Sequence, residues 1–314
     1  MHLRILFMGT AQLAGASLRA LLASSQFDVA AAVTRPDRPQ GRELKTRPPL
    51  VKKIAAEAGI PLLQPERARD PEFISSVADL NPDIIVVAEY GELLPPSILA
   101  LPKLGCVNVH ASLLPKYRGA APIQWAILNG EHETGVTIMK MSAGLDTGDI
   151  LTQKATPIGL EETAAQLHDR LAILGAELLV STLPDYSAGG ILPTPQDNAA
   201  ATHARKINRE DGRIDWSQTA AALRNRIRAF TPWPGAYVDL TIRGKPRLVK
   251  FWRASVELSQ GQPGQVLQAD RNGLVIACGS DALRIQELQV EGGRKMSAGE
   301  FAAGYPLTVT APGK

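Results

Sequence analysis

Cysteine is almost missing from this 314-residue chain: Cys106 and Cys278 are the only two, 172 positions apart, each in an apolar, strand-like stretch. That scarcity excludes a small disulfide-stapled fold and leaves two reduced, buried thiols as the expectation. Long apolar runs are missing too. None approaches the ~18 residues of a membrane span, and the opening MHLRILFMGT has an apolar run too short for a secretory leader, with no small-residue cleavage site behind it. The five histidines (His2, His110, His132, His168 and His203) form no zinc-type pair and the cysteines stand alone, so no metal is expected. There are no repeats, heptads or low-complexity tracts. What remains is 45% hydrophobic and 21% charged, a globular balance that excludes disorder. The chain is read as soluble, cytoplasmic and monomeric, with no membrane partner; at ~150 residues per domain its length suggests two domains.

Net charge is small, +3 at pH 7, but unevenly spread: residues 1–206 carry 19 Lys and Arg against 21 Asp and Glu, and residues 207–314 carry 15 against 10. A basic second half suits a polyanionic partner, because phosphate contacts need cations, although many small basic domains bind no nucleic acid. The first half alternates strand and helix. Strands are predicted at Leu3–Met8, Asp28–Val33, Asp83–Ala88, Gly105–His110 and Gly135–Met141, and helices at Leu13–Ala23, Val51–Ala58, Ala120–Leu128 and Glu161–Tyr186. The run DIIVVA at 83–88 is continuously apolar after Asp83, as a central parallel strand covered on both faces should be. This alternation predicts a doubly wound α/β fold with an open, mostly parallel sheet over residues 1–189. Prolines and a polar stretch mark a linker over 190–206. Beyond it, one helix (Ser217–Phe230) precedes short strands at Ala236–Ile242, Arg247–Ala254, Gly264–Ala269 and Leu274–Ala277, punctuated by Gly, Pro and Asn-Gly. That spacing predicts a small β-barrel domain over 207–314.

Ligands of an open α/β sheet bind beyond the carboxyl ends of its strands. The turn after the first strand, GTAQLAG, lacks G-x-G-x-x-G and reads as a plain strand-to-helix turn. The segment Cys106–His110 is richer. Asn108 and His110 are two apart at a strand end, so both aim to one side, roughly 6–7 Å apart. A loop with two cations follows (Ser112–Gly119), and a Gly- and carboxylate-rich turn lies at Ser142–Asp149. Taken singly, Asn108, His110 and Asp146 are common turn or capping residues. Together, an amide that can hold an oxyanion, an imidazole that can move protons and a carboxylate that can orient it are the parts for direct acyl transfer to an amine.

At these residues the chain resembles the 10-formyltetrahydrofolate-dependent formyltransferases. The words that carry the resemblance are NVHASLLPKYRGAAPIQWAILNGE (108–131), ETGVTIMKM (133–141) and LDTGDIL (145–151), with Asp 36 residues after the His of N-x-H. TRPDRPQGR (34–42), GRIDW (212–216) and IRAFTPWPGA (227–236) fit the branch of the family that acts on charged tRNA. The resemblance implies a Rossmann-like catalytic domain, a linker and a C-terminal OB-like barrel. It implies 10-formyltetrahydrofolate as co-substrate and initiator methionyl-tRNA as partner, with the formyl group passing to the free amine of methionine. Carried over by position, Asn108, His110 and Asp146 would be catalytic, while Tyr90, Gly91, Ser112, Leu113, Leu114 and Pro115 would line the folate site. The basic loop, with Arg38, Gly41, Arg42 and Lys45, would meet the tRNA acceptor end. Arg224 and Arg228, four apart on one helix face, suit phosphate contact; Trp216 and Trp233 are expected in a core or an interface.

Two departures from the family pattern stand out. Members usually read G-T-P-[DE]-F-A where this chain has Gly9-Thr10-Ala11-Gln12-Leu13-Ala14, and they usually carry a small residue at the position of Glu89. A carboxylate there either raises the pKa of a neighbour or faces water. Two other readings compete: formylation of a small amine such as glycinamide ribonucleotide or an amino-sugar nucleotide, and a non-enzymatic RNA-binding protein. The basic loop and the basic second half argue against the first. The Asn108–His110–Asp146 constellation argues against the second.

Overall fold

The computed structural model describes residues 2–40, 45–242 and 244–305, and for residues 39, 40 and 45–47 only the backbone. The residues group into two compact units: 1–122, 133–157 and 167–205 form one, and 123–132, 158–166 and 206–314 form the other. The helices are α1 (Gln12–Ala23), α2 (Leu50–Ala58), α3 (Pro71–Asp79), α4 (Pro96–Leu99), α5 (Pro122–Leu128), α6 (Ala164–Ser187), α7 (Ala220–Ala229) and α8 (Ala298–Gly304).

The first unit contains β1 (Leu3–Gly9), β2 (Phe27–Val33), the hairpin β3 (Arg38–Gln40) and β4 (Lys45–Arg47), β5 (Leu62–Leu63), β6 (Ile84–Ala88), β7 (Cys106–His110), β8 (Arg118–Gly119), β9 (Glu133–Lys140), β10 (Ile150–Pro157) and β11 (His203–Ala204). Seven of these make one sheet in the order β10-β9-β7-β6-β1-β2-β5. Parallel pairing runs from β7 to β5; β9 and β10 close the other edge antiparallel. The mostly parallel sheet predicted from the alternation is present. From Ile5 to Met8 β1 is apolar because both its faces are covered there, and all four residues are fully buried. Leu6, Met8, Ile85 and Val87 pack with Phe73 and Val77 of α3. β10 was not anticipated: its sequence ILTQKATP is polar and largely exposed, as suits an edge. α6 begins at Ala164 rather than Glu161, where Thr163 and Gln166 cap each other's backbone N–H groups.

In the second unit β12 (Ala236–Ile242), β13 (Lys245–Glu257), β14 (Val266–Asp270), β15 (Gly273–Ala277), β16 (Ala282–Val290) and β17 (Lys295–Ser297) form a six-stranded antiparallel sheet, ordered β12-β13-β16-β15-β14 with β17 on β16. Register breaks between Phe251 and Ala254 bend the long β13, and the sheet curls into an OB-like half-barrel. Leu223 and Ile227 of α7 fill it with Val249, Phe251, Ile276 and Leu283. α7 starts at Ala220, not Ser217, because Thr219 caps it by accepting from Ala222 N–H at 3.1 Å. Trp216 packs on this core, 6.0 Å from the Phe251 ring. Trp233, expected in a core or an interface, is 59% exposed. The two cysteines are free and buried, and burial pushes the Cys106 thiol up to about 12 and the Cys278 thiol to about 11.

Candidate active site

β7 lies between β6 and β9, with Asn108 opposite Val87 and Met139 and His110 opposite Thr137. The two side chains share one face of the strand. Asn108 is half-buried, and among the described residues its amide has no hydrogen-bond partner. His110 is buried, with Nε2 3.0 Å from the Tyr117 carbonyl oxygen. A carbonyl only accepts, so the ring donates from Nε2. Nδ1 faces Asp146 Oδ2 at 3.6 Å, in ion-pair range but too long for a direct hydrogen bond.

Asp146 comes from the turn joining β9 and β10, with its own backbone left-handed at φ +52°. Its Oδ2 accepts the Gly119 N–H at 2.8 Å. Gly119 can present that N–H only as glycine: its φ is +121° and a Cβ would sit 2.6 Å from the Ala204 carbonyl oxygen. The loop after His110 is strapped to the sheet. Thr137 Oγ1 donates to the Ser112 carbonyl and accepts from Leu114 N–H, and Gln153 Nε2 donates to the Leu114 carbonyl at 2.8 Å. Ser112 spends its own hydroxyl on the Lys116 carbonyl at 2.7 Å.

The remaining sequence-predicted residues fall into distinct settings. Leu113 and Pro115 are half-buried beside the strapped loop and Leu114 is buried. Tyr90 sits in the core at 2% exposure, and burial raises its hydroxyl to about 12. The Gly91 carbonyl accepts a hydrogen bond from Arg35. Arg38 is exposed; Gly41 and Arg42 lie outside the described residues, and of Lys45 only the backbone in β4 is described. The root of the basic loop is fixed by Asp37, which accepts from Lys52 Nζ and Gln64 Nε2 at 2.8 and 2.9 Å. Arg224 is half-buried. Arg228 is buried, and its guanidinium donates to the Gly159 and Glu162 carbonyls and to Asn225 Oδ1.

Glu89 resolves one of the departures from the family pattern. Its Oε2 accepts the Leu13 N–H at 2.9 Å, capping α1 where Ala11 offers no side chain, and its Oε1 lies 2.6 Å from His168 Nε2 on α6. The Glu89 hydrogen bond holds the His168 pKa above the usual imidazole value. The carboxylate therefore does not simply face water: each of its oxygens meets a partner.

Sequence reasoning missed Arg118, Gln196 and Thr202. The stretch expected to be a linker runs against the active loop: β11 pairs with β8, and Thr202 Oγ1 accepts the Tyr117 N–H at 2.8 Å. The only available signal was polarity, which a solvated connector shares.

Residues 2–183 match the Formyl transferase family and residues 206–306 match its C-terminal domain. The chain belongs to the formyl transferase family. Members of the family similar to it include the methionyl-tRNA formyltransferase of Citrifermentans bemidjiense, 50% identical over 305 residues, 97% of this chain and 94% of that one. That of Geobacter metallireducens is 49% identical, again over 97% of this chain and 96% of the relative. Among solved structures, the sugar 3N-formyl transferase WlaRD, crystallised in the presence of dTDP and 5-N-formyl-THF, superposes with a TM-score of 0.67. It is 19% identical and covers 94% of this chain and 100% of that one, a likeness of fold.

Proposed function

We propose that this chain transfers the formyl group of 10-formyltetrahydrofolate to the free amino group of methionine on initiator methionyl-tRNA, giving N-formylmethionyl-tRNA for translation initiation. The observation that carries the reading is the near-50% identity, across both halves, to relatives that bear this activity in their names. The donor, when bound, supplies a formyl carbon on a nitrogen leaving group. The donor set fits it: Asn108 has an unspent amide to point at the formyl oxygen as that oxygen gains charge. His110 holds or moves a proton at Nδ1, and Asp146 opposite it stabilises the ring when charged. The attacking amine loses a proton as its N–C bond forms, and the folate nitrogen gains one as its bond to the formyl carbon breaks. Leu113, Leu114, Pro115 and the main chain at Tyr90, Gly91 and Ser112 would line the donor site.

The tRNA side rests on charge. Arg38, Gly41, Arg42 and Lys45 on the rooted basic loop would meet the acceptor end, and Arg224 a phosphate. Arg228 would serve by holding the 159–162 turn within its own unit. The protein would act as a monomer in the cytoplasm, where initiator tRNA is charged and used. Among the described residues no helix is long and apolar enough to cross a membrane. The test is formyl transfer by the purified chain to charged initiator tRNA, free methionine, glycinamide ribonucleotide and amino-sugar nucleotides. Transfer to the charged tRNA alone is expected, and efficient transfer to a small amine with none to tRNA overturns the reading. Arg42→Ala should raise the KM for tRNA about tenfold and leave the folate KM unchanged, because a cation of the basic stretch would meet phosphate and not the donor; equal effects on both would remove the loop from the tRNA site.

A further inference from the structure

Gln196 lies in the polar stretch between Pro195 and Arg205, 50 residues beyond Asp146 in sequence, yet its amide joins the two loops that meet at His110. Nε2 donates to the Asp146 carbonyl at 2.9 Å and to the Gly148 carbonyl at 2.6 Å. Oε1 accepts from both Nε and Nη2 of Arg118, at 3.0 and 2.8 Å. The amide cannot be turned round: a guanidinium only donates and carbonyls only accept, so each end of Gln196 has one chemically allowed assignment. Arg118 is 5% exposed, and among the described residues it has no carboxylate within ion-pair distance; its other side-chain partner is Asn198 Oδ1 at 2.9 Å. A buried cation satisfied by neutral oxygens costs stability, and here it fixes the orientation of the glutamine.

The bonds close a ring. Gln196 holds the Asp146 main chain, the Asp146 carboxylate holds the Gly119 N–H, and Arg118, one residue before Gly119, returns to Gln196. Asp146 has a left-handed backbone at φ +52°, which Asp adopts more readily than most residues but still at a cost, so its turn has a more relaxed alternative. Releasing its carbonyl frees the turn to relax and the carboxylate to swing from His110 Nδ1. Gly148 is tied on the same side: a Cβ there would come within 1.7 Å of the Lys140 carbonyl oxygen, so the turn already runs hard against β9.

We propose that Gln196 is a positioning residue for formyl transfer, acting through Asp146 on His110. The proposal rests on the formyltransferase reading, so wild-type transfer to charged initiator tRNA is measured first; its absence would refute that reading and leave the geometry of the ring as it stands. Given an active wild type, Gln196→Met should lower kcat about 30-fold with both KM values within threefold. Gln196→Glu should fall at least as far, because it retains an acceptor for Arg118 but sets a carboxylate oxygen against two carbonyls. The discriminating readout is a double-mutant cycle. In an Asp146→Asn background the Gln196→Met loss should shrink to threefold or less, since the group it positions has lost its charge. Losses that multiply instead would make Gln196 a general fold residue, and wild-type kcat in either single variant would overturn the proposal. If Gln196→Met fails to fold, the near-isosteric Gln196→Glu, with its unfolding midpoint measured alongside, carries the same cycle.

Discussion

Among its described residues the first unit holds two imidazole–carboxylate pairs that differ in almost every respect. His168 and Glu89 meet at 2.6 Å with side chains 26% and 29% exposed; His110 and Asp146 stand 3.6 Å apart with 6% and 12% exposed. The tight pair spends its carboxylate completely, one oxygen on His168 and the other on the Leu13 N–H of α1. The loose pair holds its carboxylate from elsewhere, through Gly119, and leaves His110 Nδ1 without a direct bond. A short charge-assisted bond fixes a proton in place. A longer approach inside a buried site leaves a nitrogen that can exchange one while a negative charge waits beside it. On the proposed reading, the tight pair holds a proton and the loose pair passes one.

Removing a side chain from each pair tests that division. His110→Ala should lower kcat by about a thousandfold or more, and Asp146→Asn, which keeps the Gly119 contact and deletes only the charge, by about a hundredfold. His168→Ala should leave kcat within about threefold. Steady-state formylation of charged initiator tRNA reads all three. A His168 variant as damaged as His110→Ala, with folding intact, would break the comparison outright.

How much of this was legible in the sequence follows from the same distinction. Strands buried on both faces announced themselves: the IIVVA of β6 and the CVNVH of β7 end within a residue of the predicted positions. Asn108 and His110 were legible because a period of two puts them on one face, and Asp146 because its Gly-rich turn recurs at the spacing of a known family. β10 was hidden because an edge strand carries polar residues on much of its length, so its pattern resembles a loop. β16, ALRIQELQV, interleaves its apolar side with Arg, Gln and Glu and was likewise passed over. Gln196 and Thr202 were invisible for a different reason. Their roles rest on hydrogen bonds to main chain far away in sequence, and nothing local distinguishes such a glutamine from a solvated one. The opposite holds at Arg228, whose helix position suggested phosphate while the fold turns its guanidinium onto two carbonyls of its own unit.

The smallest effect belongs to the tight pair and appears as a slope against pH. The Glu89 hydrogen bond raises the His168 pKa first, against the opposing effect of burial; the charges of Glu89 and Asp169 raise it further. A group whose folded pKa lies above its unfolded value of ~6.5 binds more protons folded than unfolded between the two values. Its stabilisation is therefore complete below pH ~6.5 and drains away as pH rises through the folded value. Glu89→Gln removes the charge that holds the proton, while its side-chain oxygen still accepts from Leu13 N–H, so α1 stays capped. The expected cost at pH 6 is about 1 kcal/mol, the scale of one partly exposed charged hydrogen bond, falling toward zero at pH 9. Urea unfolding of wild type and variant at pH 6, 7.5 and 9 reads that convergence. A difference constant across the three would assign the lost stability to the helix cap instead of the imidazole, and a difference that grew with pH would reverse the sign of the linkage and sink the pair as a proton-holding contact.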